Sequence, residues 1–149
     1  MTTELEIKLS NEFLARIKSA LKHFDPNANE STRTHKLVAL LLNEVEFLSN
    51  QKCTYIAEPT NNEGQRPDFL VSHEGKAFFI IEAKAGISQT KALEQIHGYL
   101  LTHKLINGCL TDGIQWAMYE MKSDKKLVLV TSFLINEAQE IVDWIVSKI

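Results

Sequence analysis

Apolar residues along the chain follow two periodicities, one typical of helices and one typical of strands. In four segments they recur every three or four residues, which is the spacing of one helical face. Ser10 is placed to cap the first of these helices, and Asn136 with Gln139 forms a capping-box pattern at the start of the last. The predicted helices cover about residues 10–24, 30–50, 88–104 and 136–149.

Between the helical segments lie short runs rich in β-branched and aromatic residues, bounded by turn signals such as Asp112-Gly113. The run over residues 77–83 is almost wholly apolar, which is typical of a central strand covered on both faces. Strands are predicted at about residues 53–57, 68–71, 77–83, 108–111, 114–120 and 127–133. This order predicts an α/β fold with a central mixed sheet flanked by helices, in one domain over residues 1–149.

Three charged residues stand where two of the predicted strands begin or end. Glu82 and Lys84 are two apart, so their side chains point to the same face of a strand. Asp68 begins the preceding strand, and a hairpin-length connection joins the two. All three groups can therefore meet at one point near the strand ends.

Such a group suits phosphodiester hydrolysis. Two converging carboxylates make a hard oxygen site for Mg²⁺ or Mn²⁺, to which the carbonyl of Ala83 can add a ligand. Lys84 would hold or help to deprotonate the attacking water and offset developing charge. An acid and a base two apart on a strand are more often a solvated pair, but here an apolar run carries them to the end of a strand that is predicted to be buried, where charge is costly.

Composition and charge narrow the class of protein. The chain has 149 residues, 44% hydrophobic and 23% charged, which is typical of one soluble domain. No apolar run is long enough to span a bilayer, and the acidic first residues do not resemble a secretory signal, so a cytoplasmic protein without a membrane partner is expected. Cys53 and Cys109, the two cysteines, are expected to be reduced core residues. The formal net charge of −3 argues against a generic basic nucleic-acid coat, although a local basic rim can still bind phosphates.

Several motifs resemble those of PD-(D/E)xK nucleases. The matching segments are Arg66-Pro67-Asp68-Phe69, Ile81-Glu82-Ala83-Lys84, and Gln95 with Tyr99 in a QxxxY pattern. The likeness is greatest to the amino-terminal nuclease domain of type I restriction enzyme motor subunits. It covers about residues 29–120 and extends to Leu110-Thr111-Asp112-Gly113 and the aromatic strand that follows.

The resemblance implies a restriction-endonuclease-like three-layer sandwich and Mg²⁺-dependent cleavage of DNA. It implies that Asp68 and Glu82 bind the metal, that Lys84 is the catalytic lysine, and that Gln95 and Tyr99 steady the site or contact DNA. Glu30 matches the helix carboxylate that often completes the metal shell in that group. Arg66 and Lys91, with Gln95, are the candidates for contact with nucleic acid.

The sequence departs from that group in ways that leave other functions open. The helix after Glu30 lacks the Gly-aromatic ending of the group, and no helicase follows within the 149 residues, so cleavage would be independent or directed by a partner protein that supplies specificity. One alternative is a catalytically weak or inactive module that binds nucleic acid or a protein partner. Another is a regulatory or immunity-type protein that binds its partner through the last helix. That helix is unusually apolar and either closes the core or forms a homodimer contact.

Overall fold

The computed structural model of the protein describes residues 5–23, 30–57, 67–83 and 89–149, and it leaves the side chains of residues 30–33 undescribed. Within these ranges the chain forms four α-helices and a six-stranded sheet. The predicted α/β class with a mixed sheet is confirmed.

Two helices precede the sheet, as predicted. Helix α1 (Asn11–Lys22) is capped by Ser10, whose Oγ accepts a hydrogen bond of 3.1 Å from the N–H of Phe13. Helix α2 covers Glu30–Leu48. Residues 24–29, which include the predicted end of the first helix, lie outside the described residues. No helix in the described ranges is long and apolar enough to cross a membrane.

The six strands lie in the sheet in the order in which they occur in the chain. They are β1 (Cys53–Ala57), β2 (Phe69–His73), β3 (Lys76–Ala83), β4 (Asn107–Thr111), β5 (Gln115–Met121) and β6 (Leu127–Leu134). All neighbours are antiparallel except β3 and β4, which are parallel and joined by helix α3 (Gln89–His103). A parallel pair needs such a crossover, because the chain must return to the same end of the sheet.

Helices cover both faces of the sheet, and the alternation of side chains along β3 shows which face each covers. Phe79 and Ile81 belong to the core that contains residues of α1, α2 and the last helix, α4 (Ala138–Val146). Ile80 points to the opposite face and packs with Ile96 and Leu100 of α3. The expectation of a central strand covered on both faces is therefore confirmed.

The start of the last helix differs from the prediction. A 3-10 turn over Ile135–Glu137 precedes α4, and the capping contact is made by Glu137, whose Oε1 accepts from the N–H of Leu134. The predicted capping box of Asn136 and Gln139 is wrong because the Gln139 amide is used elsewhere. Its Oε1 accepts from the N–H of Leu9 and its Nε2 donates to the carbonyl of Ile7, both at 2.8 Å.

The apolar residues of α4 close the core. Ile141, Val142 and Ile145 are buried against the same core as α1 and α2. Of the two roles that the sequence left open for this helix, the structure therefore favours packing within the chain. Cys53 and Cys109 are buried free thiols, as expected.

The turn between β4 and β5 contacts α2 at the end of the sheet where β3 and β4 finish. Thr34 of α2 donates its hydroxyl hydrogen to the carbonyl of Asp112 at 2.8 Å. Gly113 has a φ of +93°, and a Cβ at that position would lie 3.0 Å from Cδ1 of Leu37 and 3.2 Å from Cα of Thr34. Only glycine meets both the backbone and the packing requirement here. The contact places the first turns of α2 beside the end of β4.

Candidate metal and nuclease site

The carboxyl end of β3 brings Asp68 and Glu82 together. Phe69 of β2 pairs with Ile81 of β3, so the antiparallel register places Asp68, one residue before β2, opposite Glu82. Side chains of directly opposed residues share a face, with Cβ atoms about 5 Å apart. The predicted convergence of these two carboxyl groups is therefore a direct consequence of the hairpin register.

A main-chain contact fixes the position of Asp68. Its Oδ2 accepts a hydrogen bond of 2.8 Å from the N–H of Ala83, the last residue of β3. The side chain thus supplies the acceptor that a longer β2 would offer through a backbone carbonyl. Sequence reasoning missed this contact, because nothing in the residue pattern reports which main-chain N–H a carboxylate will meet.

Glu82 is an acid in an apolar position. Its side chain is on the α3 side of β3, and the residue is 4% exposed. Its Oε2 is buried and has no hydrogen-bond partner among the described residues. Burial, followed by the nearby carboxyl of Asp68, raises the pKa of Glu82 far above its ordinary value. Without a cation at the site, this carboxyl holds its proton at neutral pH.

Tyr99 of α3 lies near enough to the same two carboxyl groups for their charges to act on its phenol. It is 7% exposed, and burial together with the charges of Glu82 and Asp68 raises its pKa to about 12. The phenol therefore stays protonated and can donate a hydrogen bond to an acidic neighbour or to a bound ligand. Of the predicted site residues, Asp68, Glu82 and Tyr99 are the ones whose proximity the structure establishes.

Gln95 and Lys91 are on the same helix as Tyr99. Gln95 is half-buried and lies one helical turn before Tyr99, so the two share a side of α3. Lys91 is exposed in the first turn of α3. Both residues lie in the first half of α3.

Three of the predicted site residues lie partly or wholly outside the described residues. Lys84 and Arg66 are outside the described residues, and Glu30 is described only as the first helical residue of α2, without its side chain. Because Thr34 is one turn after Glu30 and is bonded to the β4–β5 turn, that end of α2 lies near the carboxyl end of β4.

The carboxyl groups of Asp68 and Glu82 are oxygen donors of the kind that bind a divalent cation. A buried carboxylate oxygen without a partner, next to a second carboxylate, is what a hard cation such as Mg²⁺ or Mn²⁺ would satisfy. The described side chains include no group of three or more His, Cys, Asp or Glu residues that could hold a metal ion. The two carboxylates fit such an ion as part of its shell, and main-chain oxygens, water or a phosphate oxygen would supply the rest.

The sequence was compared with protein-family models and with curated proteins. No protein-family model matches the sequence, and no curated protein matches it, so the case for a function rests on the residues of the site.

Proposed function

We propose that this chain is a metal-dependent nuclease domain of the restriction-endonuclease-like type, which hydrolyses phosphodiester bonds of DNA. The observation that carries the proposal is the pair of carboxyl groups at the end of β3, where Glu82 is buried beside Asp68 with one oxygen unpartnered among the described residues. A protein stabilised only by its core would gain by replacing such an acid with an apolar residue. Its presence is accounted for if a cation binds there.

The roles of the residues follow from their positions and from the motifs in the sequence. Mg²⁺ or Mn²⁺, when bound, would polarise the phosphoryl group and make a water molecule easier to deprotonate. Asp68 and Glu82 would hold the ion. Lys84 follows Glu82 by two residues, and it would orient the attacking water and offset the negative charge that develops on the phosphate.

Residues of α3 would complete the site. Tyr99 is neutral and lies beside both acids, so it can donate to a carboxylate or to a phosphate oxygen. Gln95, one turn earlier, would contact the substrate from the same side of the helix, and Lys91 with Arg66 would contact phosphates further out. The helices on both faces of a mixed sheet support the three-layer arrangement that the resemblance implies.

A cleavage assay tests the proposal. Supercoiled and linear DNA would be incubated with the protein in Mg²⁺, in Mn²⁺ and in EDTA, and the products separated by electrophoresis. We expect cleavage in the two metals but not in EDTA, and a loss of about 100-fold or more in rate in Lys84→Ala. Lys36→Ala is the matched control, since Lys36 is exposed on α2, and it should cleave at the wild-type rate.

A second candidate function is a binding module with the same fold and little or no turnover. The described side chains supply two carboxylates to the site, an arrangement that such a module would also show. It predicts equal binding of DNA with and without metal, measured by fluorescence anisotropy, and no products. Wild-type protein that is folded, binds Mg²⁺ and still leaves every DNA substrate intact would exclude the nuclease and leave this alternative.

A further inference from the structure

Strand β6 forms one edge of the sheet and is unusually apolar for an edge. Among the described strands it pairs only with β5. Its eight residues, Leu127–Leu134, contain no charged residue, no proline and no glycine. Edge strands usually carry such residues, because an uncharged edge with free main-chain donors and acceptors pairs readily with another strand.

The exposed side chains are on both faces of this edge. Val128, Leu129 and Val130 are consecutive and are 40%, 54% and 43% exposed. Leu129 pairs with Tyr119, whose side chain is in the α3-side core, whereas Val128 pairs with Glu120 and points to the opposite face. A helix or a shallow groove would cover only one of these faces. A strand added in the plane of the sheet would bring neighbours to both.

We propose that β6 pairs antiparallel with the β6 strand of a second copy of this chain, about a twofold axis, to form a homodimer with a continuous twelve-stranded sheet. This inference does not depend on the proposed function.

The charges at the two ends of β6 select a second copy in the antiparallel direction. Asp124, Lys125 and Lys126 immediately precede the strand and Glu137 follows it, all exposed, so the first end has a net positive charge and the second a negative charge. Antiparallel pairing of two copies places the lysines of each beside Glu137 of the other, whereas parallel pairing would place like charges together. A twofold axis requires one self-complementary surface, and this edge, basic at one end and acidic at the other, has that property.

The ladder of β6 is interrupted, which sets the expected affinity. Val130 is an extra residue between Leu129 and Thr131, since Met118 pairs with Thr131 and Tyr119 with Leu129. We therefore expect two short paired runs across the twofold axis in place of one of eight residues. An interface of this size is at the small end for specific dimers, and a dissociation constant on the order of 10 µM is expected.

Sedimentation velocity of the full chain, from about 1 µM to about 500 µM, tests the dimer. Wild-type protein should pass from monomer to dimer over this range. Leu129→Lys adds a charge to an exposed site on the edge and should weaken the dimer at least tenfold. The matched control is Ile56→Lys, because Ile56 is also 54% exposed and lies on β1, the opposite edge of the same sheet. This control should dimerise as the wild type does.

Mixing two charge variants separates pairing from folding. Lys126→Glu and Glu137→Lys should each dimerise less than the wild type, because each places like charges together at both ends of the interface. An equimolar mixture should regain the dimer, since every contact between unlike copies is again between opposite charges. A folding defect could not be repaired by mixing.

Three results would overturn the proposal. The first is a wild-type chain that stays monomeric at about 500 µM, which would leave the edge to a strand of a different protein. The second is a dimer that Ile56→Lys disrupts and Leu129→Lys does not. The third is an assembly that grows beyond two copies.

Discussion

Glu82 illustrates how one residue can set a protein's response to pH and to metal. The folded state holds a proton on this carboxyl that the unfolded chain loses above its ordinary pKa of 4.5. Because the pKa of Glu82 is raised in the folded state, its contribution to stability is fully present below pH 4.5. That contribution declines as the pH rises from 4.5 towards the folded pKa. Binding of a cation would displace the proton and recover the loss.

Glu82→Gln should therefore stabilise the metal-free protein at high pH. Gln keeps the size of the side chain but cannot ionise, so the variant should not share the wild-type loss of stability, about 4 kcal/mol, between pH 5 and pH 8 in EDTA. Urea unfolding followed by circular dichroism at each pH measures the difference. Glu140→Gln, at an exposed position on α4, is the control and should follow the wild type. Parallel curves for wild type and Glu82→Gln would show that Glu82 ionises freely in the folded state.

At the scale of elements, the β4–β5 turn matters because it joins α2 to the end of the sheet where the candidate site lies. Gly113 makes that contact possible through its positive φ and through the absence of a side chain. Gly98, in contrast, is an exposed residue within α3, and a Cβ there would meet nothing within 4 Å. The two glycines thus predict opposite effects of the same substitution.

Gly113→Ala should destabilise the fold by about 2 kcal/mol or more, from a strained backbone and a close contact with α2. Gly98→Ala should stabilise it by about 0.8 kcal/mol, because alanine favours the helical conformation. Both free energies of unfolding can be measured in urea. If Gly113→Ala were neutral, the turn would not be packed against Thr34 and Leu37 as described.

The helices and strands also show how much of the structure could be predicted from the sequence. In the part of the chain that the structure describes, the periodicities located the six strands and the four helices to within a few residues, because each element has one consistent apolar pattern. The convergence of Asp68 and Glu82, and the position of Tyr99 on the helix that follows, came from alternation and motif spacing. The error at the start of α4 arose because Gln139 bonds to residues 130 and 132 positions away, which no local pattern can report. The apolar pattern of β6 likewise gave no sign that the strand would be an exposed edge.

At the scale of the whole molecule, Gln139 connects α4 to the segment that precedes α1. Its amide forms two hydrogen bonds with the backbone of Ile7 and Leu9, whose side chains are 5% exposed. The side-chain amide of Gln139 thus takes the place of a neighbouring strand, because it bonds both a backbone N–H and a backbone carbonyl of the segment before α1. The burial of both apolar residues depends on that position being held.

Gln139→Ala should loosen the amino-terminal segment without unfolding the sheet. Loss of the two hydrogen bonds should cost about 1–2 kcal/mol, and exchange of the Leu9 amide with solvent deuterium should accelerate more than that of amides in β3. Hydrogen exchange measured by NMR resolves the two regions. Glu140→Ala, the neighbouring exposed position, should leave Leu9 protected. Unchanged protection of Leu9 in Gln139→Ala would mean that burial of Ile7 and Leu9 alone holds the segment.

The coincidence of strand order with chain order has a consequence for how the chain folds. Each strand can pair with the strand synthesised just before it, so most of the sheet can grow by closing short hairpin loops. The exception is the passage from β3 through α3 to β4, which must close a longer loop before its contacts form. Glu82 ends one side of that loop and Tyr99 lies within it. The two acids of the hairpin can therefore meet early, whereas the tyrosine joins them only at the slowest step of sheet assembly.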